Sequence, residues 1–185
     1  MLKNSPHKPG TSFYHVPGDL EQYLVGTKNP GCLYTVMIDW DRYDLSALPP
    51  RDNHTIDAIR VVFPMAHHQE GIGLAGEIKE KGYQVFFQTA NSLGYSDSEL
   101  LKMVDEINRA QPSSLSIVDT FGAMYPQDLQ RIVTLVDHNL DPKIQLGFHS
   151  HNNLQLSYAL GIEFLRCPSE SQRGLIIDSS LCGSR

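Results

Sequence analysis

The chain has 185 residues, 41% of them hydrophobic and 19% charged, with a formal net charge of -6. That length suits one domain with a sizeable buried core, and the composition argues against disorder. The acidic balance speaks against a nucleic-acid partner, because phosphate binding relies on clustered Lys and Arg.

Residues 1–30 are polar, with prolines at 6, 9, 17 and 30, and hold only a short helical candidate near Leu20 to Leu24. The N-terminus has no apolar core of the kind a secretory signal needs. No run of about 18 apolar residues exists, so no membrane span is expected. Cys32, Cys167 and Cys182 are far apart and form no Cys-x-x-Cys pair. This usage fits a reducing cytoplasm and speaks against a disulfide scaffold or zinc ribbon.

Six short apolar runs follow: Leu33–Ile38, Ala58–Phe63, Gln84–Thr89, Leu115–Asp119, Ile144–His149 and Gly174–Asp178. Their starts are 25 to 31 residues apart, the spacing of repeated strand–helix units. Their near-continuous apolar content suits parallel strands buried on both faces.

The intervening helices carry punctuation. Ile72, Leu74, Ala75 and Ile78 form a stripe that ends before Gly82, a terminator that accepts a left-handed backbone. Ser96 and Glu99 form a capping box ahead of Leu100, Met103, Val104 and Ile107, and Pro112 follows that stripe. Pro126 stands where a first helical residue belongs, before Leu129, Ile132, Val133 and Val136. Tyr158, Ala159, Ile162 and Leu165 supply the last stripe.

This pattern predicts an α/β fold: a partial TIM (β/α) barrel of about six parallel strands with outer helices. A closed eight-unit barrel takes about 250 residues. The expectation is therefore a single incomplete barrel domain over 1–185, with an irregular segment at 1–30 and without the first two strands and the final helix. Its open sheet edges invite pairing with a second copy or a complementing chain.

Gly147-Phe148-His149-Ser150-His151-Asn152-Asn153 is the strongest chemical signal. Alternate strand residues share a face, so Leu146 and Phe148 point one way and Gly147, His149 and His151 the other. The bulky pair suits packing beneath helices, which turns the histidines toward the barrel axis at the C-terminal strand end, where such barrels place their sites. Two imidazoles at i and i+2 can share a metal; the alternative is a pair of satisfied polar residues at a strand end.

The second signal is Val118-Asp119-Thr120-Phe121-Gly122. Asp119 either orients a ligand or caps the next helix. Gln88 and Asn91 end a strand and either line the site or cap a loop. Arg60 needs an anionic partner if it faces inward. His67 and His68 follow Pro64 and are expected to be exposed. Asp178 and Ser179 end the last strand and are read as structural, and Cys182 as a free thiol.

Residues Val118 to Pro126 and Gly147 to Leu154 resemble the 4-hydroxy-2-oxovalerate aldolase branch of the 3-hydroxy-3-methylglutaryl-CoA lyase-like superfamily of metal-dependent TIM barrels, which also includes isopropylmalate and homocitrate synthases. Asp178-Ser179-Ser180-Leu181-Cys182-Gly183 resembles its final strand. The resemblance implies a divalent cation, manganese or magnesium, on His149 and His151, with Asp119 and Asn152 as supporting residues. It implies a 2-oxo acid substrate and retro-aldol cleavage of a 4-hydroxy-2-oxo acid to pyruvate and an aldehyde.

The family's third metal ligand lies in an Arg-Asp-Gly motif that this chain lacks; Arg51-Asp52-Asn53 follows Pro49-Pro50 in a loop and is no substitute. Three alternatives stay open. One is a non-catalytic barrel remnant or pseudoenzyme that binds metal. Another is an acyl-CoA-condensing synthase or lyase of the same superfamily. The third is a phosphate-binding barrel isomerase, for which only Cys182-Gly183 hints at a phosphate loop.

Overall fold

The computed structural model describes residues 1–24, 26–167 and 172–179. Ser180, Leu181, Cys182 and Gly183, named above for their resemblance to a final strand, lie outside the described residues.

Six strands form one parallel sheet in sequence order: β1 (Thr35–Asp39), β2 (Ala58–Pro64), β3 (Gln84–Ala90), β4 (Ser114–Asp119), β5 (Gln145–Ser150) and β6 (Leu175–Ile177). Each expected strand is present, with ends displaced by no more than two residues. After a short α1 (Glu21–Leu24), helices α2 (His68–Glu80), α3 (Asp97–Ala110), α4 (Pro126–Asn139) and α5 (Ser157–Arg166) connect successive strands from β2 onward.

Strand parity sorts the side chains into two layers. Ile59, Val61 and Phe63 of β2, Val85 and Phe87 of β3, Leu115 and Ile117 of β4, and Leu146 and Phe148 of β5 are buried among the helical stripes. Phe63 meets Phe87 edge-on at 5.3 Å, and Phe148 stacks on Phe164 of α5 at 5.6 Å. Their neighbours in sequence — Arg60, Gln88, Ser116, Gly147 and His149 — therefore face the opposite, concave side.

That side is concave because of what crosses it. Arg60 on β2 pairs with Asp178 just beyond β6. In a flat sheet those strands would lie four spacings apart, about 19 Å, more than an arginine and an aspartate can reach together. The ion pair requires the sheet to curl into an arc of a barrel.

The helix punctuation acts as expected. The Ser96 hydroxyl accepts from Glu99 N at 3.3 Å, and Ser96 N donates to the Glu99 carboxylate at 2.8 Å. Pro126 opens α4, and Gly82 has φ +88 just past α2. One stripe differs. In α5 the buried residues are Leu160 and Phe164, whereas Tyr158 is 83% and Leu165 52% exposed. The helix is apolar around more than one face, so periodicity alone does not pick out the side that meets Phe148.

The N-terminal segment also does more than expected. Leu2 is fully buried and donates to the Met37 carbonyl at 2.9 Å, so residues 1–3 run beside β1 and cover part of its outer edge. At the opposite end of the barrel from the site, Arg173 is buried against the C-terminus of α4. Its guanidinium donates to the Asp137 carboxylate and to the carbonyls of Asp137, Leu140, Asp141 and Ile144.

Candidate metal-binding site

His149 faces the concave side from the end of β5, and His151 follows one step beyond it. Gly147 precedes them close against Ser116 of β4: a Cβ there would force the Ser116 hydroxyl to turn aside and would lie 3.1 Å from Ser116 Cβ. The two imidazole centres are 5.1 Å apart, with planes at 75°. A ring nitrogen about 2.1 Å from a metal puts its ring centre roughly 3.2 Å away, so two rings meeting at about 100° have centres roughly 5 Å apart. The observed spacing fits two rings on one cation.

Each ring is held by its Nδ1. In His149, Nδ1 lies 2.7 Å from Asp178 Oδ2. In His151, Nδ1 lies 2.7 Å from the Thr120 carbonyl and 3.1 Å from that of Asp119. Carboxylate and carbonyl oxygens only accept, so both Nδ1 atoms donate, and among the described residues neither Nε2 has a partner.

The β4–α4 loop supports His151 through its main chain. The Asp119 carboxylate accepts from Ala123 N at 2.9 Å and Met124 N at 3.2 Å, which closes the loop and turns the carbonyls of residues 119 and 120 toward β5. Both donors lie in the loop ahead of α4, whose N-cap is Tyr125, so Asp119 braces the loop and does not cap the helix. Gly122 has φ +60, and a Cβ there would lie 2.5 Å from Asn153 N and 2.8 Å from the His151 carbonyl. Asn152 is exposed; its Oδ1 accepts from Ser157 N at 3.1 Å at the start of α5.

Below His149 runs a polar chain. With its amide oxygen toward Arg60, Gln88 accepts from Arg60 Nη2 at 2.6 Å, Arg60 Nε at 3.2 Å and Ser116 Oγ at 3.0 Å. Arg60 in turn meets the same Asp178 oxygen as His149. Burial works against the charged form of Asp178, but the His149 hydrogen bond and the Arg60 charge outweigh it and hold the carboxyl below its usual range. Arg60, Phe86, Gln88, Ser116, Ile176 and Asp178 line a cavity of about 160 Å³. A larger one, about 530 Å³, opens between His151, Asp178 and the apolar side chains of Tyr158, Ile162 and Ile177.

Several expectations change here. Asp178, read from sequence as a structural strand end, contacts both His149 and Arg60. The signal that pointed to it was Arg60 itself, an inward arginine in need of an anion. His68 is buried rather than exposed, with Nε2 3.2 Å from Glu106 of α3, while His67 remains accessible. Asn91 takes a left-handed conformation (φ 57) and donates its N–H to Thr120 Oγ1 at 2.7 Å, so it braces the loop. Among the described residues, no group of three or more His, Cys, Asp or Glu side chains converges to hold a metal. Also among them, no helix is long and apolar enough to cross a membrane.

Comparison with known proteins gives a consistent result. A family model described as HMGL-like matches residues 59–163, from β2 into α5. The 4-hydroxy-2-oxovalerate aldolase of Thermomicrobium roseum is 51% identical over 41 residues, which are 22% of this chain and 11% of that protein. That of Ralstonia pickettii is 31% identical over 72 residues, 39% of this chain and 21% of that protein. The matched stretches thus span about a fifth or less of these relatives.

Among solved structures, the N-terminal domain of a Bacteroides vulgatus protein described as an aldolase superposes with a TM-score of 0.71 at 20% identity. It covers 96% of this chain and 58% of that one. The HMG-CoA lyase of Bacillus subtilis gives 0.66 at 12% identity, covering 88% and 58%. At such identities the likeness speaks to the fold, an α/β partial barrel.

Proposed function

Because the chain belongs to the HMGL-like family, we propose that the mouth of its curled sheet is a metal-dependent lyase site built on His149 and His151. The reaction proposed is retro-aldol cleavage of a 4-hydroxy-2-oxo acid to pyruvate and an aldehyde, a reading supported by partial matches to proteins named 4-hydroxy-2-oxovalerate aldolase. The observation that carries this reading is the pair of imidazoles whose Nδ1 atoms both meet accepting oxygens, with no partner of either Nε2 among the described residues.

The donor set fits two positions of a divalent cation that accepts imidazole nitrogen; manganese or magnesium is the ion that the family resemblance implies. When bound, such a cation supplies Lewis-acid stabilisation of the charge that builds on the keto oxygen as the carbon–carbon bond breaks. The chain's own contribution is orientation. His149 stands against the Asp178 carboxylate, and His151 against the carbonyls of Thr120 and Asp119. The aldehyde half of the substrate would sit toward Tyr158, Ile162 and Ile177, which line the larger cavity beside His151. The family resemblance assigns the third ligand to a motif this chain does not contain.

One observation favours a second reading, metal binding without turnover: no third carboxylate, thiolate or imidazole converges with the two histidines among the described residues. Manganese binding and pyruvate release from 4-hydroxy-2-oxopentanoate, measured on the native chain and on His149→Ala and His151→Ala, separate the readings. Binding and turnover that both vanish in the variants support the lyase. Binding without turnover supports the remnant. Manganese affinity that neither substitution changes overturns both.

A further inference from the structure

Two histidines that are equivalent in sequence spacing are held by different devices. His151 leans on main-chain carbonyls that a side-chain substitution does not remove. His149 leans on a single carboxylate contributed by a residue 29 positions later. Resting on the metal-site reading above, we propose that Asp178, clamped across the barrel by Arg60, is the positioning residue for His149, fixing its ring plane and keeping its proton on Nδ1.

The physical case has three parts. First, Asp178 is not free to turn away. Arg60 Nη2 and His149 Nδ1 meet the same oxygen, Oδ2, and a guanidinium and an imidazole on one oxygen leave the carboxylate little rotational freedom. Second, Arg60 is itself held by the Gln88 amide oxygen, which accepts from its Nη2 and Nε and also from Ser116 Oγ. The chain Ser116–Gln88–Arg60–Asp178–His149 thus links β4, β3, β2, the end of β6 and β5 across the concave face. Third, the contact has a direct consequence for ligation. A carboxylate accepts only, so it selects the tautomer with the proton on Nδ1 and leaves Nε2 basic, and such a partner also raises the donor strength of the imidazole.

The asymmetry makes the proposal testable. Asp178→Asn keeps the shape but replaces the carboxylate with a neutral amide. Manganese affinity, measured by electron paramagnetic resonance, should fall roughly 10- to 100-fold, the usual cost of losing an outer partner of a ligating histidine. In the metal-free protein, imidazole nitrogen NMR should show His149 moving from the Nδ1–H form toward a tautomer mixture, with His151 unchanged. A merely structural role for Asp178 does not move one ring and spare the other.

Removing one member of a partly buried ion pair can compromise folding. The double variant Arg60→Met with Asp178→Leu removes both charges together, and it should keep the fold while losing the His149 tautomer preference. Manganese affinity in Asp178→Asn within twofold of the native value, while His149→Ala abolishes binding, overturns the proposal. So does a His149 ring that keeps its Nδ1 proton in both variants. If His149→Ala leaves manganese binding intact, the metal reading fails separately, and the metal-free tautomer measurement still decides what Asp178 does.

Discussion

Replacing Arg173 is the sharpest test of how the chain holds its barrel together. The side chain is 1% exposed and its ion-pair partner Asp137 is 2% exposed. All five guanidinium N–H groups are used: Nε donates to Asp137 Oδ1 at 2.7 Å, Nη1 to the carbonyls of Asp141 and Ile144, and Nη2 to those of Asp137 and Leu140. These carbonyls belong to the last turn of α4 and to the connection into β5, groups that a helix end cannot satisfy by itself.

Arg173→Leu fills the space but removes every donor. Breaking a buried pair by deleting one partner costs about 3–5 kcal/mol, against a total of about 5–15 kcal/mol for a domain. In a chain of this size about 1 kcal/mol moves Tm by about 2–4 °C, so a drop of roughly 10 °C is expected. Urea unfolding followed by circular dichroism measures it, with the slope checked against the native protein. Arg173→Lys should fall between, since an ammonium has three donors for five acceptors. Arg173→Leu combined with Asp137→Leu should regain part of the loss. A free-energy change below about 1 kcal/mol for Arg173→Leu would refute the reasoning, because it would mean water or a shifted backbone meets those carbonyls at no cost.

Other consequences follow from single contacts. Gly122→Ala places a Cβ 2.5 Å from Asn153 N at φ +60; the left-handed backbone alone costs about 1–2 kcal/mol, and the displaced His151 loop should weaken manganese binding as well, read by unfolding and by metal titration on the same sample. Ser96→Ala should cost about 1 kcal/mol through loss of the cap on α3, with no effect on metal affinity. Asp57 is desolvated, which opposes its charge, yet bonds from Arg51, the Tyr34 N–H and Lys28 keep its carboxyl below the usual range. A depressed folded value means that its contribution is present above the unfolded carboxylate pKa, about 3.9, and is lost as pH falls through the lower folded value. The urea midpoint should therefore drop on acidification below about pH 4, and less steeply in Asp57→Asn.

Much of the fold can be read from local pattern. The six apolar runs, the capping box at Ser96, Pro126 at the head of α4 and Gly82 past α2 act over a few residues, and their physics is backbone geometry and a period of 2 or 3.6. The same parity places His149 on the concave side with Gly147, and Leu146 and Phe148 under the helices. Local pattern is less informative for α5, which is apolar on more than one face, and for His68, whose burial depends on Glu106 in another helix.

The succession of strands and helices, and the face on which the histidine pair stands, depend on spacing along one segment and are legible in residue order. The folded arrangement selected which oxygen each histidine leans on. It also decided that Arg60 finds its anion 118 residues away and that Arg173 closes the end of α4. Such partners are chosen by the curl of the sheet, which brings β2 beside the end of β6, and no period within either segment encodes that approach.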